Sequence, residues 1–145
     1  MKPATSTVSA LTSPIKAELY KNLINQLKDG DKLIFIRHAY APGNGDPDGF
    51  NLNDCSTQRN LSEEGRKQAQ RIGEFFIKNK IKIGEVLSSE WCRCTETAKI
   101  AFKNFSTNSF LNSFYSLKFS KNKDKQLEEL NIHIKNLKNN KNLIF

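Results

Sequence analysis

A short, unbroken apolar run at residues 33–36 is the feature that most constrains the fold of this chain. It follows a turn-like segment at 28–31 and contains only branched aliphatic and aromatic side chains. Such a run predicts a strand that is buried on both faces of a sheet. The run ends abruptly at Arg37 and His38. Because this pair is more typical of a crevice than of a core, we expect a binding site where the strand ends.

The size and composition of the chain predict one globular domain. It has 145 residues, of which 37% are hydrophobic and 10% aromatic, and it is long enough to bury a core. The net charge of +8 has two interpretations, an attraction to anions such as phosphate esters or simply a lysine-coated surface, and we favour the second. Basic stretches with interleaved aromatics are absent from the sequence, which argues against a nucleic-acid partner. Apolar runs fall short of the roughly 18 residues of a membrane span.

The N-terminal part of the sequence changes character near residue 15. Residues 1–14 are rich in serine, threonine and alanine and predict a flexible arm without the apolar segment of a signal peptide. The compartment is left open: cytoplasmic or, if an upstream signal has been lost, periplasmic. From residue 15 to 27, leucine and isoleucine recur at helical spacing and predict an amphipathic helix. We place the domain at residues 15–145.

The remainder alternates helices and strands, with a long loop at 39–60 that is rich in glycine and proline. Periodicity and turn signals predict a helix capped by Ser62 and ending near residue 79, followed by a buried strand at 86–87 that extends back to 83. A helix capped by Ser88 and Ser89 then runs from 90 to 102, and residues 103–123 are mostly irregular. A last helix through 127–137 leads to a buried strand beginning at 142–145.

This element order predicts an α/β fold with a mainly parallel sheet flanked by helices. The carboxyl ends of parallel strands meet at one edge, where ligands bind. Arg37 and His38 follow one strand, whereas Ser88, Ser89 and Arg93 follow another. The start of the third helix adds N–H groups that attract anions. The sequence therefore predicts a phosphate site at this edge.

The three cysteines, Cys55, Cys92 and Cys94, do not form the pattern of a disulfide scaffold. Cys92 and Cys94 are spaced like a metal-binding pair, but both lie in a predicted helix, where side chains two positions apart point to different faces. A second cysteine or histidine pair that would complete a zinc site is absent from the sequence. We favour packed thiols, and a bridge from Cys55 to one of the other two stays open.

Three motifs occur in order at residues 35–39, 61–65 and 87–98. Together they resemble the histidine phosphatase superfamily, which includes phosphoglycerate mutase-like enzymes, from about residue 32 to the end. Residues 54–61 and 91–94 further resemble a bacterial branch of it. The resemblance implies a phosphoglycerate mutase-like three-layer sandwich and phosphoryl transfer without a metal or other cofactor.

The resemblance also assigns roles to site residues. His38 would attack phosphorus and form a phosphohistidine that water then hydrolyses. Arg37 and Arg93 would hold the phosphate oxygens through their planar forks. Asn44 would add a side-chain contact to the phosphate, and Arg59 would help to bind the substrate.

The proton donor to the leaving group is less well defined by the sequence. Asp54 is our candidate, because a related branch places its acid in this loop, although loop aspartates commonly cap turns. Glu96 is the alternative acid, or else an ion-pair partner. His133 lies within a predicted helix, and we expect it at the helix surface rather than in catalysis.

The sequence departs from the family pattern at two places. Ala39 replaces the usual glycine after the histidine, and it is still small. The family's second catalytic histidine follows a later strand in a Thr-His pair, whereas here residues 142–145 match only the start of that strand. This predicts a truncated homologue, so we keep two hypotheses. One is a hydrolase of phosphomonoesters or phosphohistidine, acting on a small phosphorylated molecule or a phosphoprotein without nucleic-acid or membrane partners; the other is an inactive homologue that at most binds phosphate.

Overall fold

The structure, a computed structural model, describes residues 5–137 and 141–145. Besides short 3-10 helices at Cys55–Thr57 and Ser109–Leu111, its elements are α1 (Thr5–Asp29), β1 (Leu33–Ile34), α2 (Glu63–Lys78), β2 (Ile83–Ser88), α3 (Cys92–Phe102), β3 (Ser106–Thr107), α4 (Leu117–Ser120), α5 (Lys123–Lys135) and β4 (Asn142–Ile144). Within these described ranges, helices that combine the length and the apolar character of a membrane span are absent.

The four strands form a parallel sheet in the order β1-β4-β2-β3. Leu33 pairs with Leu143, and Ile34 pairs with Ile144. The prediction of a mainly parallel α/β sheet is therefore confirmed, and the strand at the end of the sequence lies beside the first one. Strand β4 occupies the centre although it comes late in the sequence.

Strand β1 is less buried than its sequence predicts. The backbone ladder continues past Ile34, because Ile36 N–H donates to the carbonyl of Phe145 at 2.8 Å. Ile34 and Ile36 pack against the core, but Leu33 is 45% exposed and Phe35 is 61% exposed. The prediction of burial on both faces is wrong, because β1 lies at the edge of the sheet and its second face is uncovered.

Apolar side chains cover the sheet from both sides. One cluster comes from α1, α2, α3 and the strands, and consists of Leu27, Phe76, Ile81, Val86, Ala98 and Ile144. The other lies on the α5 side and consists of Leu87, Phe110, Leu143 and Phe145. The second cluster joins β2 and β4 to α5, which explains why the same side of β1 is left open.

A buried asparagine joins three elements at the amino end of the sheet. Asn142 is 0% exposed. Its Nδ2 donates to the carbonyls of Leu27 at 2.6 Å and Lys82 at 3.0 Å, and its Oδ1 accepts from the N–H of Lys32 at 3.2 Å. The side chain therefore satisfies the backbone where α1 ends and where β1 and β2 begin.

Helix α1 extends beyond the predicted range at its N-terminal end. It begins at Thr5 and contains Pro14, so the flexible arm expected up to residue 14 is helical from residue 5, whereas residues 1–4 lie outside the described part of the chain. The expected apolar face is only partly used, since Leu27 is buried whereas Leu19 is 63% exposed. The start of the domain at residue 15 stays a prediction.

Helix α2 confirms its predicted cap, whereas α3 does not. The Oγ of Ser62 accepts from the N–H of Gly65 at 3.1 Å at the start of α2. Helix α3 begins at Cys92 with Trp91 as its N-cap, because Ser88 ends β2 and the hydroxyl of Ser89 donates to Asn112.

The segment at 103–123 is more regular than predicted. It contains β3, a 3-10 turn and α4. Strand β3 is an exposed pair of residues at the edge of the sheet, so it carries no apolar pattern that would have revealed it.

Candidate functional site

The segment after β1 lies directly against helix α3. Ala39 is buried, and its N–H donates to the Thr97 hydroxyl at 3.0 Å. That hydroxyl donates in turn to the carbonyl of Arg93 at 2.7 Å. Two segments that are far apart in sequence, the one carrying His38 and the one carrying Arg93, are thus held together at one edge of the sheet, as the topology predicted.

His38 is held in one tautomer by its own backbone. Its Nδ1 lies 2.8 Å from the carbonyl oxygen of Ala39. Because a carbonyl can only accept, Nδ1 carries the proton and Nε2 keeps a free lone pair. Burial lowers the pKa of His38, and the positive charges of Arg93, Arg59 and Arg37 lower it further, against the opposing effect of the Ala39 carbonyl. The imidazole is therefore neutral near pH 7.

A cavity of about 330 Å³ opens beside this histidine. Its polar lining includes Arg37, His38, Ser88 at the end of β2 and the next residue, Ser89, and most of the remaining lining is apolar. Arg93 was expected on the same wall, but it is 7% exposed and is not among the lining residues. Its positive charge nevertheless lowers the pKa of His38.

Arg93 is paired with a residue that the sequence reasoning missed. Its Nη1 donates to Oδ1 of Asp46 at 2.8 Å, with both side chains less than a tenth exposed. Asp46 also accepts from the N–H of Arg59 and from Nε1 of Trp91, each at 3.0 Å. These donors and the charge of Arg93 outweigh burial and lower the pKa of Asp46. The sequence gave no signal for this role, because an aspartate between glycine and proline in a glycine-rich loop usually stabilises a turn.

Arg59 holds the loop as well as adding positive charge. Its Nε donates to the carbonyl of Gly45 at 2.8 Å, and its Nη1 donates to the carbonyl of Ala41. Burial lowers the pKa of Arg59, and the positive charges of Arg93 and Arg37 lower it further. The substrate contact predicted for Arg59 stays a prediction.

A disulfide joins the loop to helix α3. Cys55 and Cys92 are bonded at 2.05 Å, so the favoured interpretation of packed thiols is wrong for this pair and the open alternative is right. Gln58 strengthens the link, because its Oε1 accepts from the N–H of Cys92 at 2.9 Å. That N–H is therefore not free for an anion, contrary to expectation. Cys94 is a free thiol whose pKa is raised by burial, so it stays protonated.

The remaining candidates lie in settings of different kinds. Asp54 is exposed, and its carboxylate caps the short 3-10 helix by accepting from both N–H and Oγ of Ser56. Glu96 forms an ion pair of 3.5 Å with Arg66. Asn44 lies in an exposed bend of the loop. None of the three lines the His38 cavity, and their catalytic or binding roles stay predictions.

His133 lies in α5, as expected, but it is half-buried rather than fully at the surface. Its ring contacts those of Phe110 and Phe145, with centroids 5.4 and 6.4 Å away. Its Nε2 lies 3.2 Å from the carboxylate of Glu85. It is not among the residues that line the cavity beside His38.

Sequence comparison decides the family. The family model of the histidine phosphatase superfamily, branch 1, matches residues 33–112. The chain belongs to the histidine phosphatase superfamily. The matched range includes every candidate site residue from Arg37 to Arg93. A search of curated proteins finds no match.

Solved structures show the same fold at low sequence identity. The crystal structure of an Agrobacterium tumefaciens protein assigned as the phosphohistidine phosphatase SixA matches with a TM-score of 0.50 and 17% identity, covering 77% of this chain and 65% of that one. The protein histidine phosphatase SixA complexed with tungstate matches with a TM-score of 0.50 and 13% identity, covering 77% and 66%. The chain thus spans slightly less than two thirds of the length of each of these proteins, and both likenesses concern the fold.

Proposed function

We propose that this chain is a phosphohydrolase that acts through a phosphohistidine at His38. The observation that carries the proposal is the hydrogen bond from Nδ1 of His38 to the carbonyl of Ala39, within a cluster of three arginines. It leaves the Nε2 lone pair as a nucleophile, and the lowered pKa keeps that lone pair free at neutral pH.

The reaction proceeds in two balanced steps. Nε2 of His38 forms a bond to phosphorus while the bond from phosphorus to the leaving oxygen or nitrogen breaks, and the leaving atom takes a proton. Water then attacks phosphorus and gives its proton to the carboxylate that protonated the leaving atom, while the bond from phosphorus to Nε2 breaks, which releases inorganic phosphate and restores the imidazole. Arg37, Arg59 and Arg93 supply positive charge for the non-bridging oxygens, which carry the charge of the transition state.

The proton donor in the first step is assigned to Asp54, with Glu96 as the alternative. Asp54 is preferred because it is exposed, whereas Glu96 is partly buried and forms an ion pair with Arg66. Asn44, exposed in the same loop as Asp54, supplies the further phosphate contact.

The substrate is a phosphomonoester or a phosphohistidine, on a small molecule or on a protein. The two similar structures, a protein assigned as a phosphohistidine phosphatase and a protein histidine phosphatase, support the second class. The mostly apolar cavity beside His38 has room for an aromatic leaving group. We therefore choose an aryl phosphate as the generic probe.

The test uses the two histidines of the chain as a matched pair. His38→Ala should abolish hydrolysis of p-nitrophenyl phosphate, whereas His133→Ala should keep most of it. Rapid denaturing quench with radiolabelled substrate should trap acid-labile phosphate on His38 alone. Turnover that survives in His38→Ala, or label on another residue, would refute the proposal.

A further inference from the structure

The carboxylate of Asp46 is more completely held than an ordinary loop aspartate. Its Oδ1 accepts from Arg93 Nη1 and from the N–H of Arg59, and its Oδ2 accepts from the indole of Trp91. Trp91 is 3% exposed and caps the helix that carries Arg93. The three donors therefore come from both the loop and the start of α3.

This arrangement has two opposite interpretations. Asp46 could compete with phosphate for Arg93, or it could fix the guanidinium in the orientation that phosphate needs. Competition requires the carboxylate to leave, which would break three hydrogen bonds to a buried anion. The loop is also fastened to α3 by the Cys55–Cys92 disulfide and by the contact of Gln58 with Cys92. The fastened loop favours the fixed orientation.

The arginine itself needs such support. An arginine has five N–H donors, and Asp46 takes one of those on Nη1. The Nε of Arg93 is buried and has no hydrogen-bond partner among the described residues. Without Asp46, the buried guanidinium would keep few contacts that define its direction.

We propose that Asp46 is a positioning residue that orients Arg93 for phosphate binding, an inference that rests on the proposed function. Asp46 acts through the arginine and does not touch the substrate. Neutralising it has consequences of opposite sign under the two interpretations. Loss of a negative charge beside an anion site tightens anion binding, and so does removal of a competitor. Weaker binding then excludes competition and leaves lost orientation or general damage to the fold, which a second pair of variants separates.

The experiment is a calorimetric titration of inorganic phosphate into the intact, oxidised chain and its variants. Asp46→Asn keeps the shape and an acceptor oxygen but removes the charge. We expect it to weaken phosphate binding about tenfold, which is the loss expected when one hydrogen bond from a charged donor to the anion is no longer well directed. The matched control is Asp48→Asn, which removes an exposed charge from the same loop and should leave the affinity within about twofold. Equal or tighter binding by Asp46→Asn would overturn the proposal.

A second pair of variants separates orientation from general damage to the fold. In an Arg93→Met background, Asp46→Asn should no longer weaken phosphate binding, because the arginine through which it acts is gone. Equal weakening with and without Arg93 would indicate a merely structural role and overturn the proposal. If Asp46→Asn fails to fold, Trp91→Phe removes one of the donors that hold the carboxylate and should weaken phosphate binding in the same direction.

The titration does not depend on turnover, so the two proposals fail separately. Hydrolysis that does not require His38 would refute the proposed function. The phosphate affinities of the variants would still test whether Asp46 positions Arg93. With an active wild type, Asp46→Asn should also lower kcat for p-nitrophenyl phosphate about tenfold or more. Wild-type protein that binds no phosphate would overturn the role of Asp46 outright.

Discussion

The first turn of helix α2 touches the backbone just after the proposed nucleophile. A Cβ added to Gly65 would lie 2.1 Å from the carbonyl oxygen of Tyr40. The same carbonyl accepts from the N–H of Ser62 at 3.1 Å. This close approach fixes the direction in which the chain leaves His38, two residues earlier in the sequence.

Gly65→Ala should therefore destabilise the protein and impair the site. Alanine favours a helix over glycine by about 1 kcal/mol, but a clash with fixed backbone of this kind commonly costs about 1–3 kcal/mol or more. The clash wins, and we expect a lower melting temperature in thermal unfolding by circular dichroism together with reduced turnover. Lys67→Ala, on the exposed face of the same helix, should change the melting temperature little. An unchanged melting temperature for Gly65→Ala would contradict the close contact.

The pKa of His38 should lie below its ordinary value of 6.5, because burial and three arginines disfavour the charged ring. The chain has two histidines, so His133→Gln leaves a single imidazole signal to follow by NMR. Its titration midpoint should lie below pH 6.5, and turnover should rise with pH through that midpoint as the neutral nucleophile forms. Bound phosphate should raise the midpoint, because a nearby anion favours the imidazolium. A midpoint above 6.5 in the free protein would contradict the electrostatic setting.

The Cys55–Cys92 disulfide should contribute substantially to stability. It closes a loop with a sequence separation of 37, for which chain-entropy arguments give about 3–4 kcal/mol. Replacing both cysteines by serine should lower the free energy of unfolding by about that amount in urea titrations. Cys94→Ser keeps the bridge and serves as the control. Oxidised and serine-substituted proteins of equal stability would show that the bridge constrains little.

Asn142 should be among the least replaceable polar residues. Asn142→Leu has a similar volume but leaves two carbonyls and one N–H without their partner, and each buried unsatisfied group costs about 1–3 kcal/mol. We expect a loss of about 3 kcal/mol or more in the free energy of unfolding. Asn131→Leu, at an exposed position of α5, should cost far less. Similar losses for both variants would refute the bridging role.

The strands and the main helices were predictable because their signals are local. The apolar run at 33–36, the Ser62 cap and the apolar spacing of α5 each depend on neighbouring residues, and each predicted element exists. The exposed face of β1 was not predictable, because it depends on which helix covers the sheet at that strand. The same run would be buried on both faces at the centre of the sheet.

The site residues that directly follow the strands were predictable, whereas the residues that support them were not. Arg37, His38 and Arg93 follow strands or open a helix, so topology alone brings them to one edge. Asp46 and the pairing of Cys55 with Cys92 depend on how a long loop folds back onto α3, and no periodicity records that path. A buried arginine needs a carboxylate partner, so the burial of Arg93 would have prompted a search for one. The sequence alone does not show that Arg93 is buried.

The central position of β4 has a consequence for synthesis on the ribosome. The N–H of Lys32 meets Asn142 across a sequence separation of 110 residues, and β1 pairs with β4 in the sheet. At translation rates of roughly 5–20 residues per second, β1 waits for about 5–20 seconds before its partner emerges. During that interval its backbone edge and its apolar side chains have no native cover, which is the situation in which nascent strands recruit chaperones or pair with one another. The nascent chain is therefore most vulnerable before β4 is made, whatever the stability of the finished sheet.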